Sequence, residues 1–287
     1  METRVVFVSP TPILGELVAL VPDPGERTMQ EASYGHSISV MCDHPDPDAL
    51  RDELRQASGG VTVAVITGPL ATQPARLILC DVDSTFTTTE AIDLMAELIG
   101  KGAEVAAITE SAMRGEIDFA ESLRQRVSLV EGLPTSVFEQ VGDAMTLSPG
   151  AEALVRAAHS VGARVGLTSG GFTQLVAPLA ARHSMDFFNA NELGTVVADG
   201  VETLTGKVVG PIVDRQQKAR DLQRFAAEHD VEAALTVAVG DGANDLDMLT
   251  AAGLGIAYCA KPVTAEAADV AVGFPRLDAI IPIALDR

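Results

Sequence analysis

Two aspartates separated by a single valine, Asp81 and Asp83, stand directly behind an apolar run at residues 77–80, in the stretch LILCDVDSTFTTTE. The run has the length and composition of a strand buried on both faces. The two acids therefore fall where a parallel strand ends, and in open α/β sheets ligands bind at that carboxyl edge. Carboxylates this close disfavour each other's ionisation, and a hard divalent cation with oxygen ligands relieves the repulsion. Mg²⁺ at such a place seeks phosphate oxygens. Taken alone, the stretch fits an ordinary turn equally well, with Ser84 and Thr85 capping the next helix.

Other reactive side chains follow the same placement. A strand at residues 163–168 ends in Ser169, Gly170 and Gly171, and a hydroxyl with two glycines entering a helix gives backbone N–H groups free access to an anion. A tight turn uses the same glycines. Lys218 lies in a helical pattern at residues 214–229, and the strand at residues 235–239 ends in GDGAND, residues 240–245, a second cluster of acids at a strand end. If these strands are neighbours, the groups converge on one crevice. Two acids, a serine with free amides, a lysine and a second acid cluster are what phosphoryl transfer through an enzyme carboxylate requires. Ser84 is a poor alternative nucleophile, because no histidine or lysine stands near it in sequence to activate it.

The elements that must position these groups form three regions. Residues 1–72 read as a small α+β module: strands at 4–8, 37–42 and 61–66 and a helix at 48–57 fit a split βαβ arrangement of the ferredoxin-like kind. A proline-containing stretch at 68–74 is the expected linker. From residue 76 a doubly wound α/β domain runs to 287, interrupted at about 88–147 by helical patterns at 90–99, 103–113, from Asp118 onward, and after Pro134. Asp118 with Glu121 three residues later makes a capping-box start. This all-helical insert is expected to cover the site, or else to be connecting helices with only a packing role. A hairpin at 189–210 is expected to turn at Asp199-Gly200.

Composition limits the partners. With 47% hydrophobic residues among 287, the chain can bury a sizeable core. A net charge of −20 argues against nucleic acid and repels small anions, so an anion site must be built from a metal, a few placed cations and backbone N–H groups. Cys42, Cys80 and Cys259 are widely spaced and odd in number, which reads as buried apolar residues in a reducing compartment. Neither a cleavable leader nor an apolar run long enough for a membrane span is evident, and a cytoplasmic location follows.

In order along the chain, DVDST, the strand ending LTSGG, Lys218 and GDGAND match the four motifs of the haloacid dehalogenase superfamily, which this sequence resembles. Glu90, the segment AMRGEIDFAESLRQRVSLV at 112–130 and SGGF at 169–172 narrow the resemblance to its phosphoserine phosphatases, over about residues 76–286. The resemblance implies a Rossmann-like core with an inserted helical cap, behind an N-terminal module of the ACT type. It also implies Mg²⁺-dependent hydrolysis of O-phospho-L-serine through an aspartyl phosphate, the last step of serine biosynthesis. Carried over by position, Asp81 resembles the nucleophile and Asp83 the acid that protonates the leaving oxygen and then activates water. Asp81, the backbone carbonyl of Asp83, and Asp241 resemble the metal ligands. Ser169, Gly170, Lys218 and Asn244 resemble the phosphate site, with Asp245 holding Lys218 or the metal shell. Glu90 would take the substrate ammonium and Arg126 its carboxylate; Arg124, two residues away, points to nearly the opposite side of a helix. Met113 and Phe119 either close the apolar side of the pocket or are plain core. Transfer to another hydroxyl such as homoserine, or a non-catalytic amino-acid sensor, are the competing readings. Whether the N-terminal module binds L-serine, mediates dimerisation or only packs on the core stays open.

Overall fold

The structure, a computed structural model, describes residues 1–113 and 116–286, the side chains of Met113 and Ala198 apart. Its first strand shows how the sequence divides itself between two cores. In β1 (Glu2–Ser9), successive side chains point to opposite faces, so Val5 and Phe7 join one apolar cluster while Val6 and Val8 join another. The first cluster is closed by the turn α1 (Gly15–Val18) and by Leu50 and Leu54 of α2 (Pro47–Ala57), which Asp46 caps by accepting from Ala49 N at 3.0 Å. The second cluster is the core of the larger domain.

The N-terminal sheet is antiparallel, in the order β2-β3-β1-β4, with β2 at Arg27–Ala32, β3 at Gly35–Asp43 and β4 at Thr62–Ile66. The chain order βαββαβ is that of the ferredoxin-like arrangement. The sequence reading lacked β2, whose residues RTMQEA are mostly exposed and carry no apolar period. Gly35 makes the β2–β3 turn at φ +113°, where a side chain would collide with the Ser9 carbonyl. Both faces of this sheet are covered. Arg4, 2% exposed, donates to the carbonyls of Leu70, Pro282, Ile283 and Asp286, and Arg55 donates to those of Ala268 and Asp269. Residues 68–74 carry one helical turn, α3 (Pro69–Thr72), with Leu70 buried.

The larger sheet has seven strands in the order β11-β10-β9-β5-β6-β7-β8. These are β5 (Leu77–Asp81), β6 (Arg164–Phe172), β7 (Phe187–Ala198), β8 (Val201–Val209), β9 (Thr236–Gly240), β10 (Leu254–Tyr258) and β11 (Val270–Val272). All pairs are parallel except β7 with β8, a hairpin turned at Asp199 and Gly200, both at positive φ. Because β5 lies between β6 and β9, the chain leaves it in opposite directions, and the carboxyl ends of these three strands frame the switch-point crevice. The helices α8 (Ala151–Ser160), α9 (Thr173–Arg182), α10 (Arg215–Glu228), α11 (Leu246–Ala251), α12 (Pro262–Ala267) and the turn α13 (Ile281–Ala284) complete this domain. No helix among the described residues is long and apolar enough to cross a membrane.

Between β5 and α8 the chain forms α4 (Ala91–Leu98), α5 (Gly102–Met113), α6 (Phe119–Ser128) and α7 (Val137–Ala144). It leaves and re-enters the core side by side, with Thr88 N donating to Thr146 O at 2.8 Å. Asp118 caps α6 by accepting from Glu121 N at 2.8 Å. Ile92, Met95, Leu123, Val127 and Val141 of this insert share one cluster with Phe172 and Leu175 of the core and Leu193 and Leu204 of the hairpin. The cap is thus fastened over the ends of β6 and β7 by apolar burial.

Candidate active site

A backbone loop, Val82–Phe86, follows β5 and returns on itself through Ser84 at φ +59°. It directs three side chains. Asp81, 4% exposed, accepts from Val82 N at 2.8 Å and from Lys218 Nζ at 2.7 Å, both through Oδ1. Asp83 accepts from Ala91 N at 2.9 Å and from Ser169 Oγ at 3.3 Å, which ties it to the start of α4 and to β6. Thr85 Oγ1 donates to Asp241 Oδ1 at 3.2 Å. Lys218 reaches in from α10 with its ammonium wholly buried, and its second carboxylate is Asp245, at 2.6 Å.

Electrostatics at this floor are dominated by carboxylates. Oxygens of Asp81, Asp241 and Asp245 all lie within 4.8 Å of one another. Burial and then the charge of Asp245 push the Asp81 carboxyl well above the usual carboxylate range, against the pull of Lys218. Burial and Asp245 likewise push Asp241 up to about 6, while burial and Glu90 push Asp83 up to about 7. Although burial works against it, the Lys218 ammonium is held protonated by Asp245 and Asp81. One cation among three clustered acids leaves the floor short of positive charge. The donors are all hard oxygens, and the cluster could therefore hold a metal ion of the Mg²⁺ type.

The end of β6 corrects the expected boundary. The strand does not stop at Thr168 but runs to Phe172, with a register shift between Ser169 and Phe172, and α9 starts one residue later. Pairing continues because Phe172 is buried in the cap cluster opposite Asn191. The glycines are needed here for close approach: a Cβ on Gly171 would lie 2.9 Å from Asp83 Oδ2, and one on Gly170 would lie 2.9 Å from Phe119 Cζ. Gly171 N donates to Ser169 Oγ at 2.8 Å.

Above the floor opens a cavity of about 980 Å³. Of the residues expected from the sequence, Asp83, Glu90, Phe119, Arg126, Gly170, Asp241 and Asn244 line it, whereas Asp81, Ser169 and Lys218 lie beneath, almost without exposure. Glu90 is exposed and accepts from Ser84 Oγ at 3.0 Å. Arg126 is partly buried and donates through Nε to Ser122 O at 3.4 Å; Arg124 is exposed and does not line the cavity. Phe119 does both things asked of it, packing on the cap cluster and lining the cavity. Met113 closes α5, and its side chain lies outside the described residues.

Two buried side chains that sequence reasoning missed hold this arrangement. Asp221, fully buried one turn after Lys218, accepts from Thr168 at 2.8 Å, Asn189 at 2.8 Å and Gln217 at 2.9 Å. Asn191 donates to Gly170 O and accepts from Val213 N, each at 2.8 Å. Each links α10 or its entry to the strand ends, so the spacing between Lys218 and Ser169 is fixed from behind. Sequence carries no signal for either: Gln217, Lys218 and Arg224 stand one turn from Asp221 in α10, and Asn191 shares its strand face with Asn189.

Residues 78–250 match the family model of haloacid dehalogenase-like hydrolases. A phosphoserine phosphatase of Mycobacterium tuberculosis is 50% identical over 221 residues, which are 77% of this chain and 53% of that protein. The chain thus spans little more than half the length of the first curated relatives it matches. The structure of a probable phosphoserine phosphatase from Vibrio cholerae superposes with a TM-score of 0.77 at 34% identity, covering 98% of this chain and 86% of that one. A phospho-aspartyl intermediate analogue of phosphoserine phosphatase superposes with a TM-score of 0.66 at 39% identity, covering 73% of this chain and 98% of that one.

Proposed function

We propose that this chain, which belongs to the haloacid dehalogenase-like hydrolase family, hydrolyses O-phospho-L-serine to L-serine and phosphate through an aspartyl phosphate on Asp81. The observation that carries this reading is a single cavity with two unlike halves. Its floor offers Asp83, Gly170, Asp241 and Asn244 at the strand ends, and its cap side offers one acid, Glu90, and one guanidinium, Arg126. A phosphate monoester of a zwitterion presents the complementary set.

On this reading the Asp81 carboxylate attacks phosphorus, oriented by Val82 N and Lys218 Nζ on its Oδ1. Asp83 gives its proton to the departing serine oxygen and then takes one from the water that opens the acyl phosphate. Ser169 and the Gly170 backbone bind phosphate oxygens, and the Lys218 ammonium offsets their charge. Asn244 joins them. Mg²⁺ held by Asp81, the Asp83 carbonyl and Asp241 would screen the nucleophile from an anionic substrate. Glu90 binds the ammonium and Arg126 the carboxylate, with Phe119 and Met113 on the apolar side.

The same reading assigns the catalytic domain to residues 76–287, the cap to about 88–147, and residues 1–72 to a module that holds the C-terminal segment through Arg4 and Arg55. It places the enzyme in the cytoplasm at the end of serine synthesis. L-Serine as a regulator and a homodimer belong to the proposal, tested by calorimetric titration of L-serine into the Asp81→Asn protein and by sedimentation. The principal experiment is phosphate release from a panel of phosphorylated amino acids and sugars, with and without Mg²⁺. Release fastest from O-phospho-L-serine, absent without the metal and absent in Asp81→Asn, is the expected result. A sugar phosphate preferred over every amino-acid ester would refute the substrate assignment.

A further inference from the structure

A threonine within a helix commonly returns its hydroxyl to the carbonyl one turn back. Thr109, in α5, does not: its Oγ1 is shielded from solvent and has no hydrogen-bond partner. Buried hydroxyls without a partner are uncommon, and each calls for an explanation. Among the described residues lining the cavity, Thr109 alone carries such an atom. Ala112, one turn further along α5, lines the same cavity, so this helix presents one small face to it.

The cap groups around that face leave one need unmet; the other cations lining the cavity, Arg215 and Lys261, belong to the core side, and Arg215 is paired with Asp247. Arg126 spends its Nε on Ser122 O, so only its terminal nitrogens remain for a ligand. An ionised carboxylate has about four acceptor positions, more than a two-pronged guanidinium fills. Glu90 supplies oxygens only, which suits an ammonium and not a carboxylate. A neutral hydroxyl in the same cavity can donate to an anion, and such a bond is charge-assisted.

We propose that Thr109, turning about χ1 when substrate enters, donates a hydrogen bond from Oγ1 to the substrate carboxylate beside Arg126, making Thr109 a specificity residue for phosphorylated amino acids over phosphoesters that lack a carboxylate. The inference rests on the phosphoserine reading of the same cavity and adds a residue to it. The cap thereby recognises the carboxylate from two helices, α5 and α6.

The test compares Thr109→Val, which keeps the shape and removes the hydroxyl, with Thr109→Ser, which keeps the hydroxyl. Substrates are O-phospho-L-serine, O-phosphoethanolamine, which lacks only the carboxylate, and p-nitrophenyl phosphate. Thr109→Val should raise KM for O-phospho-L-serine about tenfold with kcat within about twofold, the loss expected of one hydrogen bond to a charged group. It should leave kcat/KM on the other two substrates within about twofold, and Thr109→Ser should restore most of the KM. Without ligand, Thr109→Val should melt no lower than the unaltered protein, because no internal bond is lost. An unchanged KM, equal losses on O-phosphoethanolamine, or a clear drop in melting temperature would overturn the inference while leaving the phosphoserine reading intact. Unaltered protein that turns over p-nitrophenyl phosphate but not O-phospho-L-serine would refute that reading, and the inference with it.

Discussion

The floor and the cap of the cavity are built by opposite means. At the floor, Asp81, Ser169, Lys218 and Asp245 are each 4% exposed or less, and every one is held by at least one hydrogen bond to or from another strand end, loop or helix. On the cap side Glu90 is exposed and Arg126 is only partly buried, with one bond to its own helix. A buried ionic group must have its geometry fixed by neighbours, since an unpaired charge there is costly. A group that greets an incoming ligand must keep free valences. On the proposed reading, the chemistry is therefore preorganised at the strand ends, and selection is left to side chains that complete their bonding with the ligand.

This contrast can be broken at either end, and the floor should give the larger effects. Asp81→Asn keeps the volume and removes the proposed nucleophile, so turnover should fall by about 10⁴-fold or more on any phosphoester, with the circular dichroism unchanged. A residual rate above that, equal for all substrates, would mean the phosphoryl group travels by another route. Lys218→Met leaves Asp81 and Asp245 as buried, unpaired acids. It should cost about 3–5 kcal/mol of stability, read by urea unfolding, and should abolish activity. Chelation of divalent metal should likewise silence every substrate at once. Arg126→Ala, on the cap, should instead divide the substrates. We expect kcat/KM on O-phospho-L-serine to fall by about 10²-fold or more, and on p-nitrophenyl phosphate by no more than a few-fold. Equal losses on both would erase the distinction between floor and cap.

The same contrast explains what could be read from the sequence. DVDST alone fits a turn as well as a site; it became legible through its company, because GDGAND sets a second group of acids directly behind another apolar run, and strand position follows from the runs themselves. Lys218 was legible by its resemblance alone, for nothing in its helix announces burial between two carboxylates. The end of β6 was misplaced because Gly170 and Gly171 look like a turn; the structure uses them for close approach to Phe119 and Asp83 while Phe172 keeps the strand paired. Strand β2 was invisible because its side chains are mostly exposed, and pairing with β3 alone defines it. Asn191, Asp221 and Thr109 were missed for a different reason. Their partners, or lack of them, depend on how helices and strands dock, which period and composition do not encode.

The smallest expected effect lies at the opposite edge of the same sheet, where activity should not be touched. Asp186, just before β7, accepts from Val165 N at 2.8 Å, Arg164 Nη1 at 2.7 Å and His159 Nε2 at 3.0 Å. Burial alone would raise its carboxyl, but the Val165 amide with Arg164 and His159 outweighs that and holds it below the usual range. A carboxyl whose folded-state pKa is depressed contributes stability that is fully present above its unfolded value, about 3.9, and is lost as pH falls through the folded value. Asp186→Asn should therefore lower the melting temperature slightly at neutral pH, and the difference from the unaltered protein should vanish only in strong acid. Because Asp186 stands at the amino ends of β6 and β7, kcat/KM at neutral pH should not change. A pH-dependent loss of activity in this variant would show that the two edges of the sheet are coupled, and the floor would then owe its geometry to more than the bonds made at the strand ends.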